Sequence, residues 1–361
     1  MIFKLVLENV RYRPVRTFLS ILLIAVPVTL ILTIIGLSIG FFEDSRKRSG
    51  GVGADILIKP PNANLISFSS VTMPEKLIDV LAKQPHVAQA MGTVVNPTSG
   101  FLEALNGIDP AAFDKMSGGF VYEEGHNLEG PDDILIDSWY ASQHKLHAGG
   151  TINISNKDWH IAGIVEPGKL GHMFVQMKTL QEMIGASKRV SQVFVKLDDP
   201  GNTEQVIAQL KTKFDGYPIL SMEELQSLLS VDHIPVLKTF INVIIGLSVL
   251  IGFAVVSLSM YMAVLQRTRE IGILKSLGAT KRLVMGIILA EAFCLGLGGT
   301  ILGILLSYVS RLAIQAMMPQ AIVYTWWPIA GGIAMGASLL GALYPGMMAV
   351  RQDPIEALAY E

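Results

Sequence analysis

Four long stretches of this sequence contain almost no charged side chain, and each is long enough to cross a lipid bilayer. Phe18–Phe42, Thr239–Leu265 and Leu312–Val350 contain no Asp, Glu, Lys or Arg, and Leu283–Ser310 contains only Glu291. A helix needs about 20 apolar residues to span the hydrocarbon core. The sequence therefore predicts a multi-pass membrane protein with spans near residues 18–42, 239–265, 284–310 and 327–350.

Charge is distributed unevenly between the spans and the long segment that separates the first two. Residues 43–236 hold 16 Lys+Arg and 24 Asp+Glu, a net charge of −8, which leaves +6 for the rest of the chain. Basic residues cluster before the first span and between the second and third spans. The positive-inside rule places both clusters in the cytoplasm. The segment 43–236 is then expected outside the cytoplasm, and both termini inside.

The segment 43–236 has the mixed pattern of an α+β domain. Thr151–Ile154 and Trp159–Val165 alternate apolar and polar residues, which predicts a hairpin that turns around residues 156–158. The single cysteine, Cys294, falls in the third span, so an ordinary apolar core must hold this domain together. The expected fold is four transmembrane helices with a large α+β extracytoplasmic domain inserted between helices 1 and 2.

The N-terminal segment, residues 1–17, mixes apolar and basic side chains. It predicts either a short amphipathic helix on the cytoplasmic membrane surface or a simple basic flank to the first span. The first span itself is longer than the apolar core of a signal peptide, so we expect it to be a retained anchor.

Motifs for nucleotide binding and hydrolysis are absent from the sequence. There is no G-x-x-x-x-G-K-[ST] and no H-E-x-x-H, and His144 with His147 supplies only two potential metal ligands. We therefore predict no catalytic, cofactor-binding or metal-binding residue and no nucleic-acid partner. The chain is not expected to be an enzyme.

A charged, helix-prone segment, residues 266–282, separates the second and third apolar runs. Its pattern predicts an amphipathic helix with Ile271, Leu274 and Leu277 on one side, which suits a groove of a soluble partner. Glu291 is the only acidic residue inside a predicted span, and we favour a structural or coupling role for it over a proton or ion site.

Small residues four positions apart recur in three spans and predict close helix packing, within one chain or between two protomers. The pairs are Gly36 and Gly40, Gly299 and Gly303, and Gly332 and Gly336.

Two parts of the chain carry motifs of a known family. Arg267–Thr280 with Glu291, Gly299 and Gly303, and then Asp353–Glu361, resemble the permeases of the MacB, LolC and FtsX superfamily of ABC transporters, and residues 134–165 resemble the periplasmic core domain of MacB-like permeases. The resemblance implies the following organisation: a cytoplasmic segment 1–17, a first span 18–42, a periplasmic MacB-like core domain 43–236, and an FtsX-like permease domain 237–361 with a coupling loop 266–282 and a cytoplasmic tail 351–361.

The resemblance also implies a mechanism. Such permeases form homo- or heterodimers in the bacterial inner membrane, recruit a cytoplasmic ABC ATPase that binds ATP and Mg²⁺, and transmit its closure to the periplasmic domains, which is called mechanotransmission. Because only 17 residues precede the first span, we expect the ATPase to be a separate chain. The residues implied in ATPase coupling are Arg267, Arg269, Glu270, Gly272, Lys275, Gly278, Ala279, Lys281, Arg282, Asp353, Pro354 and Glu356.

Two functions follow from the resemblance. The first is export or extraction of a lipid-linked, lipoprotein or amphipathic substrate, with a periplasmic membrane-fusion protein or a lipoprotein carrier as a further partner. The second is an FtsX-like regulator, in which ATPase motion activates a periplasmic hydrolase and nothing is transported. The size of the segment between the first two spans favours transport.

Overall fold

The computed structural model describes residues 14–63, 72–98, 103–230, 235–315 and 318–351. The chain divides into two compact units. The membrane unit combines Met1–Phe41 with Ile234–Glu361, and the inserted domain is Phe42–His233. Most of the predicted N-terminal segment, and the predicted coupling residues Asp353, Pro354 and Glu356, lie outside the described residues.

The inserted domain contains both helices and strands, whereas the described part of the membrane unit contains helices and their connections. The helices are α1 Pro14–Gly50, α2 Lys76–Ala82, α3 Pro110–Ser117, α4 Ser138–His144, α5 Met177–Met183, α6 Thr203–Lys213, α7 Met222–Leu228, α8 Pro235–Gln266, α9 Thr268–Ser276, α10 Lys281–Ile314 and α11 Trp326–Arg351. The strands are β1 Ile56–Ile58, β2 Met73–Pro74, β3 Val87–Pro97, β4 Ala104–Ile108, β5 Tyr122–Gly125, β6 Asp133–Asp137, β7 Thr151–Ile154, β8 Lys157–Val165, β9 Met173–Gln176, β10 Arg189–Val190, β11 Gln192–Leu197 and β12 Ile219–Ser221.

Four helices in the described part of the chain, α1, α8, α10 and α11, are long and apolar enough to cross a membrane. They coincide with the four predicted spans and extend beyond them at both ends. The largest difference is at α1, which continues to Gly50 through the charged residues that follow Phe42. Hydropathy locates apolar side chains, whereas backbone hydrogen bonding continues past them, so the helix outlasts its apolar run. From Phe42 onward, α1 belongs to the inserted domain.

The helices of the membrane unit pack through glycine and small hydroxyl residues. A Cβ on Gly299 would lie 2.5 Å from the Ile24 side chain, and one on Gly303 would lie 2.7 Å from that of Val28, so α1 and α10 are in close contact at this pair. The Thr29 hydroxyl, also on α1, donates to the Gly303 carbonyl at 3.1 Å. In a membrane the hydrophobic effect does not drive helices together, so close packing of this kind is a main source of their association.

The other two glycine pairs have different surroundings from a helix contact. Gly36 and Gly40 pack against the backbone of residues 319–321, which connects α10 to α11, and not against a helix. Nothing within the described part of the chain lies within 4 Å of a Cβ placed on Gly332 or Gly336. Glycines four residues apart allow close approach on one helix face, but they do not specify which part of the chain approaches. The three pairs therefore have three different surroundings.

The inserted domain is built on a mixed ten-stranded sheet in the order β12-β1-β11-β3-β4-β9-β6-β8-β5, with β7 paired to β8. The predicted hairpin is present, because β7 and β8 pair antiparallel. Its turn is Ser155–Asn156, both with positive φ, one residue earlier than predicted. Trp159 on β8 is fully buried in the apolar core, where its indole N–H donates to the Ile154 carbonyl at 3.3 Å.

Candidate coupling site

The coupling segment, residues 266–282, begins at the C-terminal end of α8. No glycine or proline lies at this helix end. Arg267 leaves the helical conformation at φ −117°, and α9 starts at the next residue. The Thr268 hydroxyl donates to the carbonyls of Val264 and Leu265, at 3.3 and 2.9 Å. It thereby satisfies carbonyl groups that the end of a helix otherwise leaves without partners. A threonine side chain therefore accompanies the change of chain direction between α8 and α9.

Glu291, the single acidic residue of the third apolar run, has a partner in the coupling segment. Arg267 Nη1 lies 3.3 Å from Glu291 Oε2, and the two side chains are 15% and 7% exposed. A carboxylate at such a position requires a counter-charge, because burying an unpaired charge is costly. The pair connects the start of α9 to α10.

The far end of α9 is held by a second cation. Lys275 Nζ donates to the Val350 carbonyl at 2.9 Å, in the last turn of α11, where a positive charge is favourable beside the helix C-terminus. Between the two anchors, Ile271 and Leu274 line a cavity of about 100 Å³ together with residues of α8 and α10. A helix of nine residues is marginal alone in water, so these contacts are what stabilise it.

The coupling segment ends in a helix-stop geometry that requires glycine. Gly278 has φ +91°, its N–H donates to the Lys275 carbonyl at 3.0 Å, and the Ala279 N–H donates to the Leu274 carbonyl at 2.9 Å. This pair of hydrogen bonds is a Schellman motif. Thr280 then caps α10, since its side chain accepts a hydrogen bond from the Leu283 N–H at 3.3 Å.

The surface of α9 opposite its anchors is exposed and combines charged with apolar side chains. Ile273 is 45% exposed and Leu277 is 81% exposed, and Arg269 and Glu270 are also exposed. The predicted common side for Ile271, Leu274 and Leu277 was therefore wrong for Leu277. That residue follows the last residue of α9, where the chain departs from helical periodicity toward the positive-φ glycine.

Of the remaining predicted coupling residues, Gly272 is buried, whereas Lys281 and Arg282 are exposed in the first turn of α10. Sequence reasoning missed the partners of Arg267 and Lys275, which lie 24 and 75 residues away. The signal for the first was available, because an intramembrane carboxylate calls for the nearest cation at the edge of the apolar run. No local signal identifies a backbone carbonyl as the acceptor for Lys275.

The histidines singled out by spacing do not form a site. His144 stacks on the ring of Tyr140 with a centroid distance of 4.2 Å, and the His147 side chain is 82% exposed. Within the described ranges, no group of three or more His, Cys, Asp or Glu side chains is arranged to hold a metal ion.

Two family models match this chain. The MacB-like periplasmic core domain matches residues 17–213, and the FtsX-like permease C-terminal domain matches residues 242–354. The first alone covers more than half of the chain. Four long apolar helices with an α+β domain inserted after the first are the architecture of a multi-pass permease of this type.

Relatives with curated names agree with these matches. The chain is 24% identical to the uncharacterized ABC transporter permease YknZ of Bacillus subtilis, with 99% of this chain and 98% of YknZ covered. It is 24% identical to the macrolide export ATP-binding/permease protein MacB of Shewanella sp. (strain W3-18-1), and it spans 60% of that protein. It is 25% identical over 268 residues to the uncharacterized ABC transporter permease MJ1507 of Methanocaldococcus jannaschii, of which 66% is covered.

Among solved structures, the periplasmic region of MacB from Actinobacillus actinomycetemcomitans matches 50% of this chain with 16% identity and a TM-score of 0.39. The extracellular domain of YknZ matches 46% of the chain with a TM-score of 0.35.

The chain belongs to the family of MacB-like and FtsX-like ABC transporter permeases. It is a membrane protein, and the ABC permease class accounts for both of its units.

Proposed function

We propose that this chain is the membrane subunit of an ABC transporter that works by mechanotransmission. A separate cytoplasmic ATPase binds ATP and Mg²⁺ and docks on the coupling segment. Two permease protomers transmit its closure to their inserted domains, which move a lipid-linked, lipoprotein or amphipathic substrate on the outer side of the bacterial inner membrane.

The observation that carries the proposal is the way α9 is mounted. One side is fixed to the membrane unit by Arg267 and Lys275, each through a contact to a different helix. The opposite side exposes Ile273 and Leu277 beside Arg269, while Glu270, which is also exposed, is among the residues that line the cavity. A surface of this composition suits a groove of a soluble protein, and its anchors would carry a push from that protein into α10 and α11.

The interior of the membrane unit supports transmission over conduction. Four hydroxyl residues are buried in the described part of the membrane unit. Ser248, Thr300 and Ser338 each donate to a carbonyl of their own helix, and Ser20 of α1 pairs with the Ser259 hydroxyl of α8 at 2.6 Å. Glu291, which is buried in α10, is paired with Arg267. A path for a polar substrate would need polar groups that face a common space.

Docking of the ATPase on α9 is tested by changing only its exposed face. Leu277→Asp in the full chain should abolish co-purification of the ATPase from membranes of the native host, because it places a charge on the apolar part of the surface. Val121→Asp is the matched control, since Val121 is an exposed apolar residue of the inserted domain. Retention of the ATPase by Leu277→Asp at the level of the control would contradict docking at α9.

A further inference from the structure

Two arginines in the last turns of α1 hold different parts of the inserted domain. Arg46 and Arg48 are two residues apart, and side chains at i and i+2 of a helix point to different sides. Both lie in the part of α1 that belongs to the inserted domain. All contacts described below join residues of that domain.

Arg46 binds the end of α7, the last helix before α8. Its Nε donates to the Gln226 carbonyl at 2.9 Å and to the Leu229 carbonyl at 3.0 Å. These are carbonyls that the C-terminus of a helix leaves free, and a guanidinium is favourable there because of the helix dipole. The end of the first long helix is thereby bonded to the segment of the inserted domain that leads toward α8.

Arg48 binds the opposite side, where the interior strand β6 ends and the interior strand β9 begins. Its Nη2 lies 3.0 Å from Asp44 Oδ2, and its Nη1 lies 2.5 Å from His172 Nε2. The guanidinium has only donors, so Nε2 accepts and the ring proton resides on His172 Nδ1. That nitrogen donates to Asp137 Oδ2 at 2.6 Å.

Asp137 continues the chain of contacts into regular structure. It is the last residue of β6, and its other carboxylate oxygen caps α4 by accepting from the Tyr140 N–H at 2.8 Å. The Asp137 side chain is 1% exposed, and those of His172 and Arg48 are each 11% exposed. Hydrogen bonds in which one partner is ionised, here Arg48 or Asp137, are strong in such surroundings.

The backbone reinforces the same contact. The Leu170 N–H donates to the Arg48 carbonyl at 2.8 Å, and the Asp137 N–H donates to the His172 carbonyl at 2.9 Å. The loop between β8 and β9 is therefore bonded on one side to α1 and on the other to β6. The end of α1 cannot shift relative to the sheet without breaking side-chain and backbone bonds together.

We infer that Arg46 and Arg48 form a transmission joint, in which the end of α1 is bonded at once to the sheet and to the segment leading toward α8. This inference rests on the proposed function. Movement of the long helices reaches the inserted domain through these two positioning residues, and the ATPase site does not depend on them.

The test uses the full chain with its co-purified ATPase in lipid nanodiscs, with a nitroxide on cysteine at Ser142 and Cys294 replaced by alanine. Ser142 is exposed on α4. In the Arg46→Ala/Arg48→Ala variant, ATP hydrolysis should remain close to that of the parent protein. The change in the interprotomer distance on trapping ATP should fall to less than half. Arg48→Lys, which keeps the charge but not the planar fork, should give an intermediate change.

Arg189→Ala is the matched control, because it removes hydrogen bonds from Arg189 Nε and Nη2 to Thr72, each 2.6 Å, within the inserted domain but away from α1. Its distance change should equal that of the parent. An undiminished change in both the double variant and Arg48→Lys overturns the joint while leaving mechanotransmission in place. No ATP-dependent change in the parent protein overturns the proposed function, and the joint with it.

Discussion

Arg267 Nη1 and Glu291 Oε2 lie 3.3 Å apart and connect the start of α9 to the interior of α10. The two residues are 24 positions apart, and most of the coupling segment and the first turns of α10 lie between them. Lys275 adds a contact to the end of α11. Displacement of α9 is therefore resisted by both of the helices that follow it.

The first prediction concerns this ion pair. Glu291→Leu should destabilise the membrane unit by about 3–5 kcal/mol, because it leaves Arg267 buried and unpaired. Arg267→Leu/Glu291→Leu should recover much of that loss, since removing both charges removes the uncompensated one. Thermal unfolding in nanodiscs measures the cycle, with the exposed Arg269→Leu as the control. Equal losses in the single and double variants would contradict a functional pair.

The second prediction concerns the stop of α9. Gly278→Ala should weaken the Schellman motif by about 1 kcal/mol, because a side chain disfavours φ +91° even where space is open. Faster amide exchange at Ala279 measures the loss, since its N–H makes the bond to Leu274. Gly286→Ala is the control: it also has open space but has ordinary helical geometry. Gly278→Arg should in addition uncouple ATP hydrolysis from transport, and normal coupling in that variant would remove Gly278 from the coupling contact.

The third prediction concerns orientation, which rests on the basic segments of the sequence. A cysteine at Ser142 should be labelled by a membrane-impermeant maleimide in intact spheroplasts, whereas one at Ser276 should be labelled only after lysis. Both residues are exposed, so accessibility to the reagent is decided by the membrane. Labelling at Ser276 alone in intact spheroplasts would reverse the topology.

The fourth prediction separates the glycine pairs. Gly303→Ala should destabilise the membrane unit by about 1–3 kcal/mol, because its Cβ would lie 2.7 Å from Val28 and 2.9 Å from the Ala25 carbonyl. Gly332→Ala meets nothing in the described chain and should leave the stability of one protomer unchanged. Unfolding in detergent at concentrations that favour monomers measures both. Equal stability of the two variants would contradict the contact between α1 and α10.

The fifth prediction concerns the pH dependence of the stability that Asp133 contributes to the inserted domain. Burial raises the pKa of Asp133, but hydrogen bonds from the N–H groups of Gly130 and Glu129 and from His160 outweigh it, so the pKa lies below its usual value. A depressed pKa contributes stability that is present above the unfolded value and is lost as pH falls through the folded value. Asp133→Asn should therefore speed amide exchange of Gly130 at pH 7, with a difference that disappears well below pH 4. The neighbouring, exposed Asp132→Asn should show little difference at either pH.

The apolar runs and the alternating pattern at residues 151–165 are local signals, and for that reason the four long helices and the β7–β8 hairpin were predictable from sequence. The order of the ten-stranded sheet was not, because pairs such as β1 with β11 bring together residues about 137 positions apart, whose partners no local pattern specifies. The extension of α1 to Gly50 was missed for a related reason. Charged residues after an apolar run indicate the end of a span, and the sequence does not show that Arg46 and Arg48 have partners inside the domain.

The candidate site was predictable in position but not in orientation. The charged segment 266–282 predicts a helix, and α9 lies within it, whereas the side of α9 that is exposed depends on its contacts to the distant Glu291 and Val350. The second long helix, α8, begins at Pro235, a residue that is tolerated in the first turn of a helix because it has no N–H to leave without a partner. The segment before it forms a separate short helix, α7, which ends at Leu228.

The central claim is that ATP binding at the ATPase moves the inserted domains of two protomers relative to each other. The most direct measurement is the distance between nitroxides at Ser142 in a nanodisc-embedded dimer with its ATPase, compared between the ATP-free and the vanadate-trapped states. We expect a shifted distance distribution, and no shift when Leu277→Asp prevents the ATPase from docking. An identical distribution in both states, while substrate is still transported, would contradict mechanotransmission and favour a conducting path through the membrane unit.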